Sequence, residues 1–334
     1  MSSTDQKPAS EAPKSPSDIQ AQELPHQCQL VRANKIAAAL MEEIKKGLAE
    51  AERKPLLVGF LANDDPAARM YAKWTAKTCE KNGFGYELRE VNKEDLEDAI
   101  LEANEDDKVD GILIYFPVFG TRHDSYLQQL TALHKDVEGL SHKYIFNMYQ
   151  NIRHLDDNKL QKSILPCTPL AVVKILEYLG VYNQVLPYGN RLFGKTITVV
   201  NRSEIVGRPL AALLANDGAT VYSVDLDGIQ LYTRGEGIRL RQHRAVDTDL
   251  TLADVAPKSD VVITGVPSAN YKFPTELLKD GAICVNFSSE KNFDEEAVMK
   301  RASIYVPAIG MVTIAVLLRN ILRLMENRKK GVEV

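Results

Sequence analysis

The chain has 334 residues, of which 45% are hydrophobic and 26% charged, and its formal net charge is −4. That is the balance of an ordinary water-soluble protein long enough for two domains. It excludes the basic footprint of a nucleic-acid binder, and no apolar run approaches the roughly 20 residues needed to span a bilayer. The four cysteines, Cys28, Cys79, Cys167 and Cys284, are scattered without a CxxC pair. No metal site and no disulfide framework are expected, and a reducing compartment fits.

Residues 1–27 are rich in Ser, Pro, Ala and Gln and nearly free of large apolar side chains. This predicts a disordered tail. The tail holds acids, and the first arginine is Arg32. A mitochondrial presequence is Arg-rich and acid-poor, and a secretory signal needs an apolar centre, so the expected location is cytoplasmic. Residues 29–52 carry apolar positions at helical spacing. Leu56 to Leu61 reads as a strand, and Pro66 opens a helix to about Lys81 with Gly83 as its stop. Gly85 to Val91 is a second strand, Glu94 to Ala103 a second helix and Gly111 to Phe116 a third strand. This β-α-β-α-β order implies a parallel sheet with right-handed crossovers. Residues 117–168 are loop-rich. Pro169 starts a helix to about Leu179, and Tyr182 to Arg191 is a connector.

The stretch from Thr198 to Asp225 carries the most information. Thr198 to Val200 is a short apolar run, consistent with a buried parallel strand. Pro209 suits the first turn of a helix and Gly218 its stop. Val221 to Val224 is the next strand, and Asp225 ends it about where an acid meets the ribose hydroxyls of NAD. A dinucleotide loop usually has three glycines, whereas this one offers only Gly207, so the pattern alone leaves a plain βαβ crossover open. Residues 226–258 are polar and charged and read as a surface excursion. Val261 to Thr264, Ala282 to Val285 and Ile304 to Val306 are further strands, and Val312 to about Asn327 is a closing helix. The expected fold is α/β with two domains, each a mainly parallel sheet with helices on both faces, the second Rossmann-like. The boundaries are 28–168, completed by the helix at 311–330, and 169–310.

Four motifs in order carry a resemblance: Lys135-Asp-Val-Glu-Gly139, Pro166-Cys-Thr-Pro169, Asn201-Arg-Ser-Glu-Ile-Val-Gly-Arg-Pro209 and Val306-Pro-Ala-Ile-Gly310. With them the chain resembles the methylenetetrahydrofolate dehydrogenase/cyclohydrolase family from about residue 30 to 328, and most of all its fungal, monofunctional, NAD-dependent branch. The resemblance implies a folate-binding first domain, a nicotinamide-cofactor domain, an active-site cleft between them and a homodimer. Bifunctional members oxidise 5,10-methylenetetrahydrofolate and then hydrolyse the methenyl product, the hydrolysis depending on a lysine, a glutamine and an aspartate. Here Tyr71-Ala-Lys-Trp-Thr75 puts threonine in the lysine's place, Ile114-Tyr115-Phe-Pro117-Val118 puts tyrosine in the glutamine's, and Glu138 replaces the aspartate. Lys73 and Lys77 lie on the other side of the helix from Thr75 and are poor substitutes.

Hydride transfer needs alignment and a water-poor cleft more than acid–base help, whereas hydrolysis needs water activated and protons moved. A threonine hydroxyl supplies neither a cation nor a charge change near neutral pH. The expected activity is therefore NAD-dependent oxidation of 5,10-methylenetetrahydrofolate, in a polyglutamylated form, with the cyclohydrolase lost. The resemblance makes Tyr71 the residue packed on the folate ring, and Tyr115 either a cover for the pterin or a filler of the vacated space. It makes Glu138 the acceptor of pterin N–H groups, places Pro117 beside them, and leaves Thr168 to shape the cleft or to cap the helix before Pro169. Around the cofactor it implicates Asn201, Arg202, Ser203, Val206, Gly207, Asp225, Thr264, Gly265, Val266, Pro307 and Thr313.

A carboxylate at Asp225 facing a 2′-phosphate about 4–5 Å away repels it by on the order of 3–4 kcal/mol before screening. That leaves a preference for NAD of roughly ten- to a hundredfold. Arg202 argues the other way unless Asp225 neutralises it or it contacts the pyrophosphate. Ser203 and the following backbone can donate to phosphates near the helix N-terminus. Two alternatives stay open: another two-domain NAD(P) dehydrogenase of shikimate or amino-acid type, and a non-catalytic folate- or nucleotide-binding regulator.

Overall fold

A computed structural model describes residues 27–234 and 242–330. Most of the tail expected at 1–27, and part of the 226–258 segment, lie outside the described residues. Two sheets organise the rest. The smaller has three parallel strands in the order β3-β2-β4: β2 (Leu56–Leu61), β3 (Gly85–Glu90) and β4 (Gly111–Ile114). β2 is central and apolar on both faces, as a covered parallel strand must be.

The larger sheet has eight strands in the order β1-β11-β10-β9-β5-β6-β7-β8. β5 (Thr196–Val200), β6 (Thr220–Asp225), β9 (Val261–Thr264), β10 (Ile283–Asn286) and β11 (Ile304–Val306) run parallel. Three strands depart from the sequence reading. β1 (Gln29–Leu30) pairs with β11 ahead of α1 (Ala33–Ala49), so the helix expected from residue 29 starts later. β7 (Gly228–Thr233) and β8 (Arg244–Thr248) turn the expected surface excursion into antiparallel edge strands. The turn joining β6 to β7 is Leu226-Asp227, with Gly228 at φ 120°. An Asp-Gly pair is a strong hairpin signal.

The region expected to be loop-rich holds two helices, α4 (Arg122–Leu130) and α5 (His142–Tyr149). Thr121 caps α4 by accepting from His123 N. Only Leu127 of α4 is buried, which makes its amphipathic signal weak. α2 (Pro66–Lys81) follows β2, with Asp65 capping it and Pro66 in its first turn. Its buried positions are Ala68, Ala72, Thr75 and Cys79, one stripe at helical spacing. Lys73 and Lys77 are exposed on the opposite side. α3 (Leu96–Glu105) precedes β4.

The two sheets share core. α6 (Cys167–Tyr178) packs on α7 (Gly207–Asn216), which follows β5, and on the last helix, α10 (Gly310–Lys329). α10 in turn packs along α1, with Asn320 Nδ2 donating to Val137 O at 2.9 Å and Leu165 O at 3.2 Å. Buried Asp110 ties its far end, accepting from Arg53 Nη1 at 2.7 Å, Arg328 Nη2 at 2.5 Å and Leu56 N at 2.9 Å. α8 (Leu252–Val255) and α9 (Glu295–Arg301) complete the larger unit.

Candidate active site

The residues singled out in the sequence gather at the carboxyl ends of the parallel strands, where open α/β sheets bind ligands. Tyr115 follows β4. Asn201, Asp225, Gly265 and Pro307 follow or end β5, β6, β9 and β11.

On the smaller sheet, Thr75 is fully buried and its hydroxyl donates to Tyr71 O at 3.0 Å. The Tyr71 and Tyr115 rings meet edge-on with centroids 6.1 Å apart. Tyr115 is 4% exposed, and its hydroxyl hydrogen-bonds Tyr86 Oη at 2.8 Å. The pair sits on Gly59, where a Cβ would lie 2.7 Å from Tyr86 Oη and 3.1 Å from Tyr115 Cε2. Burial pushes both the Tyr71 and Tyr115 phenols up, and the groups that further bias them are acids, hydroxyls and thiols. Both therefore stay neutral near pH 7. Tyr86 was invisible in the motifs.

Glu138 arrives on a loop built by its neighbours. Lys135 is buried, and its Nζ donates to Ala103 O, Asn104 O and Asp106 O at 3.0, 2.7 and 2.8 Å. It thus places a cation on the carbonyls that end α3. Asp136 accepts from Gly139 N and Ser141 N, both at 2.8 Å, and Gly139 has φ 71° with Leu165 C 2.8 Å from where a Cβ would be. The loop holds Glu138 Oε2 at 3.2 Å from Ile114 N, and Cys167 N donates to Glu138 O. Burial pushes the Glu138 carboxyl up to about 8; the Ile114 amide opposes that and the Asp136 charge adds to it. Pro117 follows a cis peptide bond, and its carbonyl accepts from Asn63 Nδ2 at 2.9 Å. Thr168 lies inside α6, whose N-cap is Pro166, so the capping reading of Thr168 falls. A proline N-cap offers no side-chain oxygen, and the helix begins two residues earlier than Pro169 suggested.

On the larger sheet Asn201 organises the loop after β5. It adopts φ 98°, its Nδ2 donates to Gly265 O at 2.7 Å, and its Oδ1 accepts from Ser203 N at 2.7 Å. Gly207 starts α7 so close to Asn201 that a Cβ would stand 1.8 Å from Asn201 O. Its N–H is directed at Ser203 Oγ at 3.3 Å, and Val206 is the N-cap. Ser203 is exposed, its hydroxyl hydrogen free to donate outward. Arg202 overturns one expectation. Its guanidinium is 5% exposed and meets Asp227, not Asp225, with Nη1 at 2.8 Å from Asp227 Oδ1. Nη2 donates to Ser223 O at 2.8 Å and Gly228 O at 2.7 Å, so the β6–β7 hairpin consumes the side chain. Asp225 instead accepts backbone N–H groups of Arg202 at 2.5 Å and Leu226 at 2.7 Å.

Gly265 approaches a neighbour rather than open space: a Cβ would fall 1.8 Å from the Phe287 ring. Val266 N donates to Asn292 Oδ1 at 2.7 Å. Asn286 joins two of the expected turns, accepting from the buried Thr264 hydroxyl at 3.4 Å and donating to Pro307 O at 3.1 Å. Phe287, Asn286 and Asn292 belong to no motif and were missed. Thr313 is 7% exposed in the first turn of α10, its N–H on Ile309 O, with no hydrogen bond to the Asn201 loop among the described residues.

The donor set fits a dinucleotide with an unmodified adenosine ribose: a carboxylate ends β6, an exposed serine precedes the α7 N-terminus, and the nearby guanidinium is already occupied. Among the described residues no group of His, Cys, Asp and Glu is placed to hold a metal ion, and no helix is long and apolar enough to cross a membrane.

A parallel sheet with this βαβ loop, joined through α6 and α10 to a smaller α/β unit, defines a two-domain dinucleotide-binding protein. The catalytic-domain model of tetrahydrofolate dehydrogenase/cyclohydrolase matches residues 31–138, and the NAD(P)-binding-domain model of the same family matches residues 166–235. The chain belongs to the tetrahydrofolate dehydrogenase/cyclohydrolase family. A Schizosaccharomyces pombe protein named methylenetetrahydrofolate dehydrogenase (NAD+) is 65% identical over 299 residues, covering 90% of this chain and 93% of its own. The Saccharomyces cerevisiae protein of that name is 58% identical over 89% of this chain and 96% of its own. The solved structure of the S. cerevisiae NAD-dependent 5,10-methylenetetrahydrofolate dehydrogenase matches with a TM-score of 0.88 at 56% identity, covering 91% of this chain and 99% of that one.

Proposed function

We propose that this chain oxidises 5,10-methylenetetrahydrofolate to 5,10-methenyltetrahydrofolate by hydride transfer to NAD, and that it does not hydrolyse the product. The observation that carries the second half is the buried Thr75 hydroxyl, spent on Tyr71 O, together with the paired Tyr115 and Tyr86 hydroxyls. It stands where bifunctional relatives, by resemblance, keep a lysine and a glutamine. A neutral, closed cluster has no cation to polarise water and no group that exchanges a proton near pH 7.

When bound, NAD supplies the hydride acceptor at nicotinamide C4. The chain's own work is alignment. Tyr71 and Tyr115 give the folate ring an aromatic wall, and Glu138 receives the pterin N–H donors, which favour its ionised form. Asn201 and Gly207 shape the phosphate loop, and Asp225 takes the ribose hydroxyls. Thr264, Gly265, Val266 and Pro307 wall the nicotinamide end, with Asn286 and Phe287 behind them. Thr168 and Pro117 border the folate, and Thr313 belongs to the cofactor side from α10. The polyglutamylated substrate and the homodimer belong to this reading through the family resemblance. The regulator alternative is disfavoured because the replaced residues are those of hydrolysis, while the cofactor loop stays fully built.

The test is substrate deuterated at the methylene carbon. The account requires the label on the reduced cofactor. Label released to water, or no reduced cofactor, sinks it.

A further inference from the structure

A cavity of about 240 Å³ lies between the 152–165 segment, α6, α10 and the connector at 188–191, and its lining includes none of the residues proposed to meet the folate or the cofactor. Six cations line it (Arg153, Lys162, Lys174, Arg191, Arg319 and Arg323) against two carboxylates, Glu177 and Asp217. Both carboxylates are already matched: Glu177 takes Lys174 Nζ at 2.7 Å, and Asp217 takes Arg153 Nη2 and the Tyr182 hydroxyl, each at 3.1 Å. Arg319 and Arg323 bond Glu43 and Glu326 at 3.0 and 2.9 Å.

That leaves Lys162 and Arg191. Neither has a carboxylate within ion-pair distance among the described residues. Arg191 Nε is buried without a hydrogen-bond partner, and its guanidinium shares the Tyr188 ring with Arg153, at 5.8 and 6.0 Å from the centroid. The charge of Arg323 is the largest influence lowering the Lys162 pKa, as a region of positive potential requires. A buried guanidinium donor left unmatched is costly unless a ligand completes it, and its planar fork suits an oxyanion. The volume exceeds the roughly 30 Å³ share of one water several-fold.

We propose that this cavity is a binding site for a small multivalent oxyanion, held chiefly by Lys162 and Arg191 and separate from the folate and cofactor sites. Its walls come from α6 and α10 on one side and from Leu213, Asp217 and the connector on the other, so an occupant ties the two units together.

The test uses the full chain saturated with NAD, so that the cofactor's own phosphate locus is filled. Inorganic pyrophosphate and citrate are titrated separately at constant ionic strength, by calorimetry and by thermal midpoint. At least one gives saturable, one-site binding with a rising midpoint, and the stronger of the two tells phosphorylated from carboxylated ligands. Lys162→Gln and Arg191→Gln each weaken that binding at least tenfold, while kcat/KM for the folate without added anion stays unchanged. Absence of saturation with both anions, or variants that bind like the unaltered chain, overturns the proposal. Lys162 is exposed, so its variant tests the site without threatening the fold.

Discussion

Tyr86 and Tyr115 hold their hydroxyls 2.8 Å apart above Gly59. In the proposed function that contact closes the space in which water would have to be activated. Thr75→Lys alone is therefore expected to give no hydrolysis of methenyltetrahydrofolate. The new ammonium enters a packed apolar and phenolic site without a built partner, at a cost of several kcal/mol, on the order of 3–5. Thr75→Lys with Tyr115→Gln opens the space, and hydrolysis rises above the spontaneous rate. Following methenyl loss in the two variants decides this; hydrolysis by the single variant would refute the role given to the tyrosine pair.

In the proposed function, cofactor choice rests on two acids with different work. Asp225 bonds backbone amides at the end of β6, and Asp227 holds Arg202 out of reach. Asp225→Asn is expected to narrow the preference for NAD over NADP by roughly ten- to a hundredfold. Adding Asp227→Asn releases the guanidinium and improves kcat/KM with NADP further. Steady-state rates with both cofactors measure this, and an unchanged ratio in the double variant contradicts it.

At Gly265 the account makes a rescue prediction. A Cβ there meets the Phe287 ring at 1.8 Å, so Gly265→Ala lowers the thermal midpoint and raises KM for NAD. Phe287→Ala alone costs about 3 kcal/mol or less, since the ring is only partly buried. The double variant recovers much of the Gly265→Ala loss. Additive losses would mean that the glycine serves something other than this ring.

The motifs exposed the parallel strands, the loop after β5 and the two replacements on α2 and just after β4, because each is a local pattern of apolar runs, glycines and prolines. The misses are non-local. β1 is two residues long and exists only because Gln29 and Leu30 find Ile304 and Tyr305. Tyr86 matters because β3 lies beside β2 and faces Tyr115 across Gly59, a register no spacing in the chain encodes. Asp227 was the one accessible miss: Asp227-Gly228 is a hairpin signal, and reading it would have placed a carboxylate beside Arg202.

Glu138 gives a pH prediction with a definite sign. Its carboxyl is raised from the ordinary 4.5 to about 8 by burial. Between those values the folded protein keeps a proton that the unfolded chain has released, so this group's contribution to stability falls as pH rises across that window. Glu138→Gln should flatten the slope of denaturant midpoint against pH from 5 to 8, and be more stable than the unaltered chain at pH 8 and above. It should also raise KM for the folate. Parallel slopes for the two proteins would contradict the burial argument.

The central claim is a dehydrogenase without a hydrolase. It is met most directly by supplying the purified chain with 5,10-methylenetetrahydrofolate and NAD or NADP in parallel, and with methenyltetrahydrofolate alone. The account predicts rapid NAD reduction, weak NADP reduction and methenyl loss at the spontaneous rate. Enzymatic hydrolysis above that rate, or no cofactor reduction at all, would contradict it.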